Sequence, residues 1–534
     1  MTDLDKFMTL LKEFRKVFYD KSLTVKASLN ALASALDYGA RVVVGLLITP
    51  VLVHGLGSSV YGVWLVLGPL ISYITPASGR PTQTLRWTIA NKQASTDYAE
   101  KRRDIGSALF VWLLFLPLLT LAGGVLAWYA PVWLKVSAAL APSVRLAAGL
   151  LVMNLIIVSL VEVPRAVLQG ENLSYKRMGL SAVLVFLSGG LTALAVYLGT
   201  GLIGIAVAHL ASSLLTGLLF LRVVRRYVPW FGFSAPSFGS VRRFAGLSVW
   251  FIAWNLVMTL MKASDVVLLG IFASVGLVTT YSLTKYLPQA ITDLVAVMVT
   301  GITPGMGGIL GSGNVQKAAR VRAELMSLTW LITTAAGSTI LLWNPSFVQL
   351  WVGTQYDAGQ IPTLLIVLMV QQFVLIRNDA NIIDLTLDLR RKVLTGVLSV
   401  TLSLAIAGIL VSYFEMGIVG LCLGFIAGRV ILSLAYPWLV GRFLEIPLSS
   451  QLMGVLRPGL VTIMLWGSAS SLSLVLKANT WLVLVASVGM TLVVMSLLAF
   501  YGGLSQCRRK NLLQRLLRVA QLPVVRERFV LKMR

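Results

Sequence analysis

Charge is scarce in this chain of 534 residues: 12% are Asp, Glu, Lys or Arg, while 57% are hydrophobic. A soluble domain carries about 25% charged residues, and no hydrophilic stretch here is long enough to form one. Acid is scarcer still, with 20 carboxylates against 45 bases and a net charge of +25. That excess would suggest nucleic acid in a soluble protein. Here the bases fall between apolar runs, the pattern of cytoplasmic loops in a membrane protein, so no nucleic-acid partner is expected. Only two cysteines occur, Cys422 inside an apolar run and Cys507 in a basic tail, which excludes a disulfide framework and a CxxC metal site. The glycines of GITPGMGGILGSG are not followed by Lys-Ser/Thr, so there is no phosphate-cradling P-loop and no nucleotide-driven pump is expected. No far-side loop carries a pair of carboxylates placed for glycosyl transfer, which argues against a polymerase or ligase. The expectation is a non-enzyme without cofactor or metal.

What the chain has is apolar runs from end to end, with a mean hydropathy of +0.85. Runs of roughly 20 residues span a bilayer as helices, and about fourteen can be read, which predicts an all-α polytopic membrane protein. The first, 27–53, is long and lacks a small-residue cleavage site, so it reads as a retained span. The second reads as 63–80, the fourth as 142–163 and the eighth as 278–301. Before them, residues 1–26 alternate bases with Leu4, Phe7, Leu11 and Phe14, the pattern of an interfacial amphipathic helix. The basic tail 506–534 has Leu512, Leu513, Leu516 and Leu517 at helical spacing. The runs group as a first lobe at 27–221, a basic linker at 222–244, a second lobe at 245–441 and two further helices at 442–505. Lys101-Arg102-Arg103, Lys176-Arg177, Arg225-Arg226 and Arg390-Arg391-Lys392 lie in alternate loops, which places both termini in the cytoplasm. The turns before Tyr61 and Tyr281 follow apolar runs that carry Arg41 and Lys262, the pattern of an internal repeat with its site near the midplane.

Ten ionisable residues sit inside these runs: Asp37, Arg41, Lys262, Asp265, Lys285, Asp293, Arg377, Asp379, Asp384 and Arg429. Each costs about 2.5–3.5 kcal/mol at the bilayer centre. The sum exceeds a typical folding stability of about 5–15 kcal/mol, so most must be paired or hydrated inside the bundle. Asp37 and Arg41 are i and i+4 and can pair, as can Lys262 and Asp265 at i+3. Arg41, Lys285 and Arg377 sit deepest and read as cavity-lining. Asp384 and Asp265 can snorkel from span ends, and Arg429 can serve as an interhelical ion pair. Asp293 can bind a proton, bind an ion or pair structurally. His209 reads as a helix-contact residue and His54 as a surface loop residue. The segment QQFVLIRNDANIID is the most polar inside a span, which lipid packing does not explain.

The segments ITPVLVHGLGSSVYGVW and KASDVVLLGIFASVGLVTTYSLTKYLPQ resemble Wzx-type polysaccharide flippases. Pro50, Leu56-Gly57, Tyr61-Gly62, Trp64 and Arg86 match the family pattern around the first turn. Asp265, Gly270 and Tyr281 match it around the seventh span, and Pro76-Ala77-Ser78-Gly79 stands where the family has D-x-G. The resemblance implies the two-lobed fold of the MOP (multidrug/oligosaccharidyl-lipid/polysaccharide) exporters in a bacterial inner membrane. It implies a polyprenyl-diphosphate-linked oligosaccharide as substrate, flipped to the outer leaflet by an ion gradient. A polymerase and a chain-length regulator would then be candidate partners, beside membrane lipids. Arg41, Arg86, Lys262, Lys285, Arg377 and Arg429 become candidates for binding the diphosphate, since guanidinium groups grip phosphate bidentately. Asp37, Asp265, Asp293 and Asp384 become candidates for ion coupling. A multidrug antiporter of the same superfamily is disfavoured by these deep bases. A lipid II flippase differs mainly in the glycan, and a membrane glycosyltransferase would need a catalytic loop that is absent.

Overall fold

The computed structural model describes residues 23–513 apart from 79–80, 94, 178, 237, 312, 387–388, 507 and 511. The expected amphipathic helix at 1–22 and the tail beyond 513 lie outside the described residues. The described chain is all-helical. In order the helices are α1 Leu23–Leu56, α2 Ser58–Ile74, α3 Pro81–Asn91, α4 Tyr98–Trp133, α5 Ala141–Gly170, α6 Leu180–Tyr197, α7 Gly201–Tyr227 and α8 Phe238–Phe272. They continue as α9 Val275–Thr284, α10 Tyr286–Gly311, α11 Val315–Trp351, α12 Gln360–Thr386, α13 Leu389–Ser412, α14 Gly417–Phe443, α15 Leu448–Leu472 and α16 Trp481–Gly503. Twelve are long and apolar enough to cross a membrane, and α2 is a shorter apolar helix.

Local chemistry sets the ends. Asp97 caps α4 by accepting the Glu100 N–H at 2.9 Å, and Asn314 caps α11 by accepting from Lys317 N at 3.0 Å; each satisfies one of the first-turn donors a helix leaves unpaired. Helix α2 stops at Ile74 and tightens into a 3-10 turn over Thr75–Ser78. It therefore ends before the span read as 63–80 does, because Pro76 has no N–H to give the Ser72 carbonyl, which accepts the Thr75 N–H instead. The span read as 278–301 is interrupted at Lys285, between α9 and α10. Pro288 has no N–H to give the Thr284 carbonyl, and Asn344 Nδ2 donates to that carbonyl instead, at 3.2 Å.

The chain divides into two compact units, Met1–Gly276 and Leu277–Arg534. The division falls later than the linker at 222–244, because α8 packs against α2 and α4. In the first unit α1 lies on α6, and α5 lies on α4 and α7. The short helix α3 docks on this group through Leu85 and Ile89, which join Ile105, Val163 and Val167 in one apolar core. Gln93 and Lys101 both hold Glu171 beyond α5, by a 3.1 Å bond to its carbonyl and a 2.9 Å ion pair with its carboxylate.

In the second unit α11 is the central helix. It is 37 residues long and packs on α10, α12, α15 and α16. Its inward face is rich in Ser and Thr, and these hydroxyls meet polar partners from neighbours. Asn378 donates to Thr329 at 2.7 Å, and Gln371 to Thr333 at 3.2 Å. Trp330 donates to Thr462 at 2.9 Å and Trp343 to Thr491 at 3.0 Å. Gln372, on another face of α12, reaches Ser433 of α14 at 3.2 Å. The polar character of QQFVLIRNDANIID is thus largely used in helix packing, the role such groups serve in lipid. Helices α13 and α14 approach most closely where Gly420, Gly424 and Gly428 line one face of α14. A Cβ at Gly428 would collide with the Ser403 backbone, and Ser399 donates to the Gly428 carbonyl at 2.9 Å.

Candidate functional site

The first unit has a partly open cavity of about 280 Å³, lined by charged, hydroxyl and apolar side chains. Helix α1 brings Asp37 and Arg41 to it, α5 brings Glu162 and Arg165, and α7 brings His209. Arg177 enters from the 3-10 turn Ser174–Arg177 between α5 and α6. Three guanidiniums thus face two carboxylates in one space. Arg165 Nη1 donates to Glu162 Oε1 at 2.6 Å, one turn back on α5. Arg177 Nη1 lies 3.5 Å from Asp37 Oδ2, donates to Ser181 Oγ at 3.1 Å and has its guanidinium 5.5 Å from the Phe220 ring centre. The expected Asp37–Arg41 pair is therefore replaced by a pair reaching from α1 to the turn before α6. Arg41 lines the same cavity.

These ion pairs leave hydrogen-bonding capacity unused. Among the described residues, Asp37 Oδ1, Arg165 Nε and Arg177 Nε are buried without a hydrogen-bond partner, and a buried unpaired polar group costs about 1–3 kcal/mol. Burial pulls Arg177 below its ordinary value, as do Arg165 and Arg41 beside it, while Asp37 and Glu162 work the other way. Arg86 on α3 is pulled down by burial and by Arg165 but held up by Glu162, so it belongs to the same electrostatic cluster. An arginine stays charged regardless. The shifts therefore describe cations whose hydration is only partly replaced, and an anion entering here would replace it.

His209 is half-buried on the cavity wall, its ring 5.3 Å from that of Trp64. It makes the helix contact expected of it and also faces the cavity. His54 is exposed, but in the last turn of α1 rather than a loop, with Nδ1 2.8 Å from the Pro50 carbonyl.

The other expected site residues lie elsewhere. Lys262 and Asp265 are on α8. Asp265 is buried and its carboxylate accepts the Val266 N–H at 2.8 Å, while Lys262 is exposed. In the second unit Lys285 sits 5.3 Å from the Tyr281 ring centre. Arg377 is half-buried with the exposed Asp293 near enough to act on it electrostatically. Asp384 is bonded to Lys392 at 2.5 Å, and that lysine is fully buried. Asp379 is gripped bidentately by Arg322 at 2.7 and 2.8 Å, both residues being buried between α11 and α12. Arg429, expected as an ion-pair candidate, is buried with its guanidinium 5.2 and 5.1 Å from the ring centres of Phe373 and Phe425. The sequence reading missed Glu162, Arg165 and Arg177 as site residues. The signal available was a Glu-x-x-Arg in the second half of α5, the helix that precedes a turn carrying two bases.

Comparison with known proteins adds to this geometry. The sequence profile of the family described as "Polysaccharide biosynthesis protein" matches residues 90–309, from the end of α3 into α10. No curated protein matches the chain in sequence. Among solved structures, the lipid II flippase MurJ in an inward closed conformation superposes with a TM-score of 0.64 at 13% identity, over 87% of this chain and 98% of that one. An inward-facing MATE multidrug transporter of the MOP superfamily gives 0.60 at 16% identity, over 75% and 94%. Its outward-facing counterpart gives 0.57 at 15% identity, over 80% and 97%. The family profile is thus one of polysaccharide biosynthesis, and the solved structures share the all-helical fold of this chain.

Proposed function

We propose that this chain, a multi-pass membrane protein with the fold of the MOP superfamily, moves a polyprenyl-diphosphate-linked oligosaccharide across a bacterial inner membrane with both termini cytoplasmic. The observation that carries this reading is the cavity of the first unit, where Arg41, Arg165 and Arg177 outnumber Asp37 and Glu162 and two guanidinium Nε donors are unspent. Such a set suits an anion with several acceptor oxygens, and a diphosphate supplies them. A cationic drug would meet the wrong sign of charge, which disfavours the multidrug reading. The family profile over 90–309 supports a glycan on the lipid, and the MurJ-like fold supports transport of a lipid-linked headgroup. Ser181, Ser188, Ser212 and Thr216 on the cavity wall would bond glycan hydroxyls.

Repeated one-way transfer of a charged headgroup needs a source of free energy, and Asp37 is placed to couple it. When Asp37 takes up a proton its pairing with Arg177 weakens, and the guanidinium becomes free to hold phosphate. Asp265, buried on α8, is the second coupling candidate. The test is flipping of a fluorescent polyprenyl-diphosphate glycan in proteoliposomes that hold the purified full-length chain. Arg41→Ala and Arg165→Ala are expected to abolish flipping while protein incorporation is unchanged. Wild-type rates in both variants would defeat the assignment of this cavity to the diphosphate.

A further inference from the structure

The second unit holds a smaller basic pocket that the flippase reading does not use. It lies at the start of α11, against the segment that follows α16, and measures about 70 Å³. Arg320, Glu324 and Ser327 line it from α11, and Arg508 and Leu512 close it from the other side. Leu512 is buried with Trp330, Ala499 and Leu504 in one apolar cluster, which fixes the segment carrying Arg508 against α11. Further cations lie near the end of α16 and on the segment that follows it. Arg457 of α15 donates to the Gly502 carbonyl at 2.7 Å and so closes the end of α16. The Arg509 guanidinium lies 5.6 Å from the Tyr501 ring centre, and Lys510 is exposed beside it.

We propose that this pocket binds the headgroup phosphate of an anionic phospholipid. Arg320 and Arg508 face one space with only Glu324 to balance them, so the pocket carries an excess of positive charge. Its size admits a phosphate group but not an oligosaccharide. Next to the cations, Met453 and Leu456 of α15 are 72% and 67% exposed, and Tyr501 of α16 is 59% exposed. Apolar surface of this kind needs acyl chains against it, and a free phosphate ion would not supply them. A basic pocket between spanning helices, with an apolar flank, is the arrangement that retains acidic lipids at a membrane surface.

The experiment uses the full chain in nanodiscs of phosphatidylcholine with increasing phosphatidylglycerol, reading retained lipid by native mass spectrometry. Wild type is expected to retain phosphatidylglycerol, and Arg320→Gln/Arg508→Gln to bind it about tenfold more weakly. Arg225→Gln/Arg226→Gln removes the same charge at the end of α7 and is expected to bind as wild type does. Equal retention in wild type and the pocket variant would overturn the proposal, as would equal loss in the control. Soluble glycerol phosphate competing as well as the lipid would overturn the lipid assignment. A readout on wild type stands independently of variant folding. Phosphatidylglycerol with a photoreactive headgroup is expected to label residues 320–327 or 505–513, and labelling only elsewhere would sink the idea.

Discussion

Arg177 and Arg322 are both bases near a helix end that face an aspartate, yet their surroundings predict different losses. Arg177 opens on the cavity of the first unit with its Nε unspent. Arg177→Ala should remove a charged hydrogen bond to substrate worth about 1.5–3 kcal/mol, or about ten- to a hundredfold in flipping rate, with membrane yield near normal. Arg177→Lys should recover only part, because the planar fork is gone; full recovery by lysine would contradict the bidentate role. Arg322 is buried against Asp379. Arg322→Ala leaves that carboxylate buried and unpaired, a loss of about 3–5 kcal/mol, visible as a lowered melting temperature in detergent. Arg322→Met combined with Asp379→Leu should restore most of it, and failure to do so would mean the pair has a role beyond neutralising itself. The sequence made Asp37 and Arg41 legible because each interrupts an apolar run. It hid Arg177, because a base in a Lys-Arg loop reads as a topology signal. Glu162 and Arg165 were hidden because they straddle Pro164, where the span was read as ending.

Among the elements, the contact of α13 with α14 depends on glycine more than on any large side chain. Gly428→Leu should separate the two helices, since the new side chain meets the Ser403 backbone and has no soft neighbour to displace. Overpacking costs about 1–3 kcal/mol, so the melting temperature should fall by several degrees. Gly467→Leu on α15, where a Cβ meets nothing within 4 Å, should leave it unchanged, and an equal fall in both variants would refute the packing argument. The spans themselves were legible because hydropathy integrates over about 20 residues. The amphipathic α3 was not, because its 11 residues bury only Pro81, Leu85 and Ile89, a stripe too short to register. The interruption at Lys285 was missed for another reason. Pro288 alone leaves the helix free to bend or not, and Asn344, more than fifty residues away, decides it.

For the whole molecule, the alternation of basic loops predicts that a reporter fused at Gly57 scores periplasmic and one at Arg102 cytoplasmic. The opposite scores would invert the direction of transport proposed here. Proton and Na⁺ gradients imposed separately on proteoliposomes should show that one of them accelerates flipping, and Asp37→Asn should remove that dependence while leaving slow equilibration. Flipping that ignores both gradients would end the coupling argument. Division of the chain into lobes was less legible than its spans, because α8 follows the basic linker in sequence but packs with α2 and α4. The hydrogen bonds of α11 carry a consequence for how the protein is made. Trp330 and Trp343 donate to Thr462 and Thr491, and Ser346 accepts from the Ala478 N–H at 3.1 Å. A ribosome produces all of these partners well after α11 itself. While synthesis runs from α12 to α16, the central helix of the second unit waits in the bilayer with indole donors that only the final hairpin can satisfy. The hairpin is thus the closing step of assembly, and a chain terminated before Leu448 would be cleared by membrane proteolysis rather than persist as a shorter transporter.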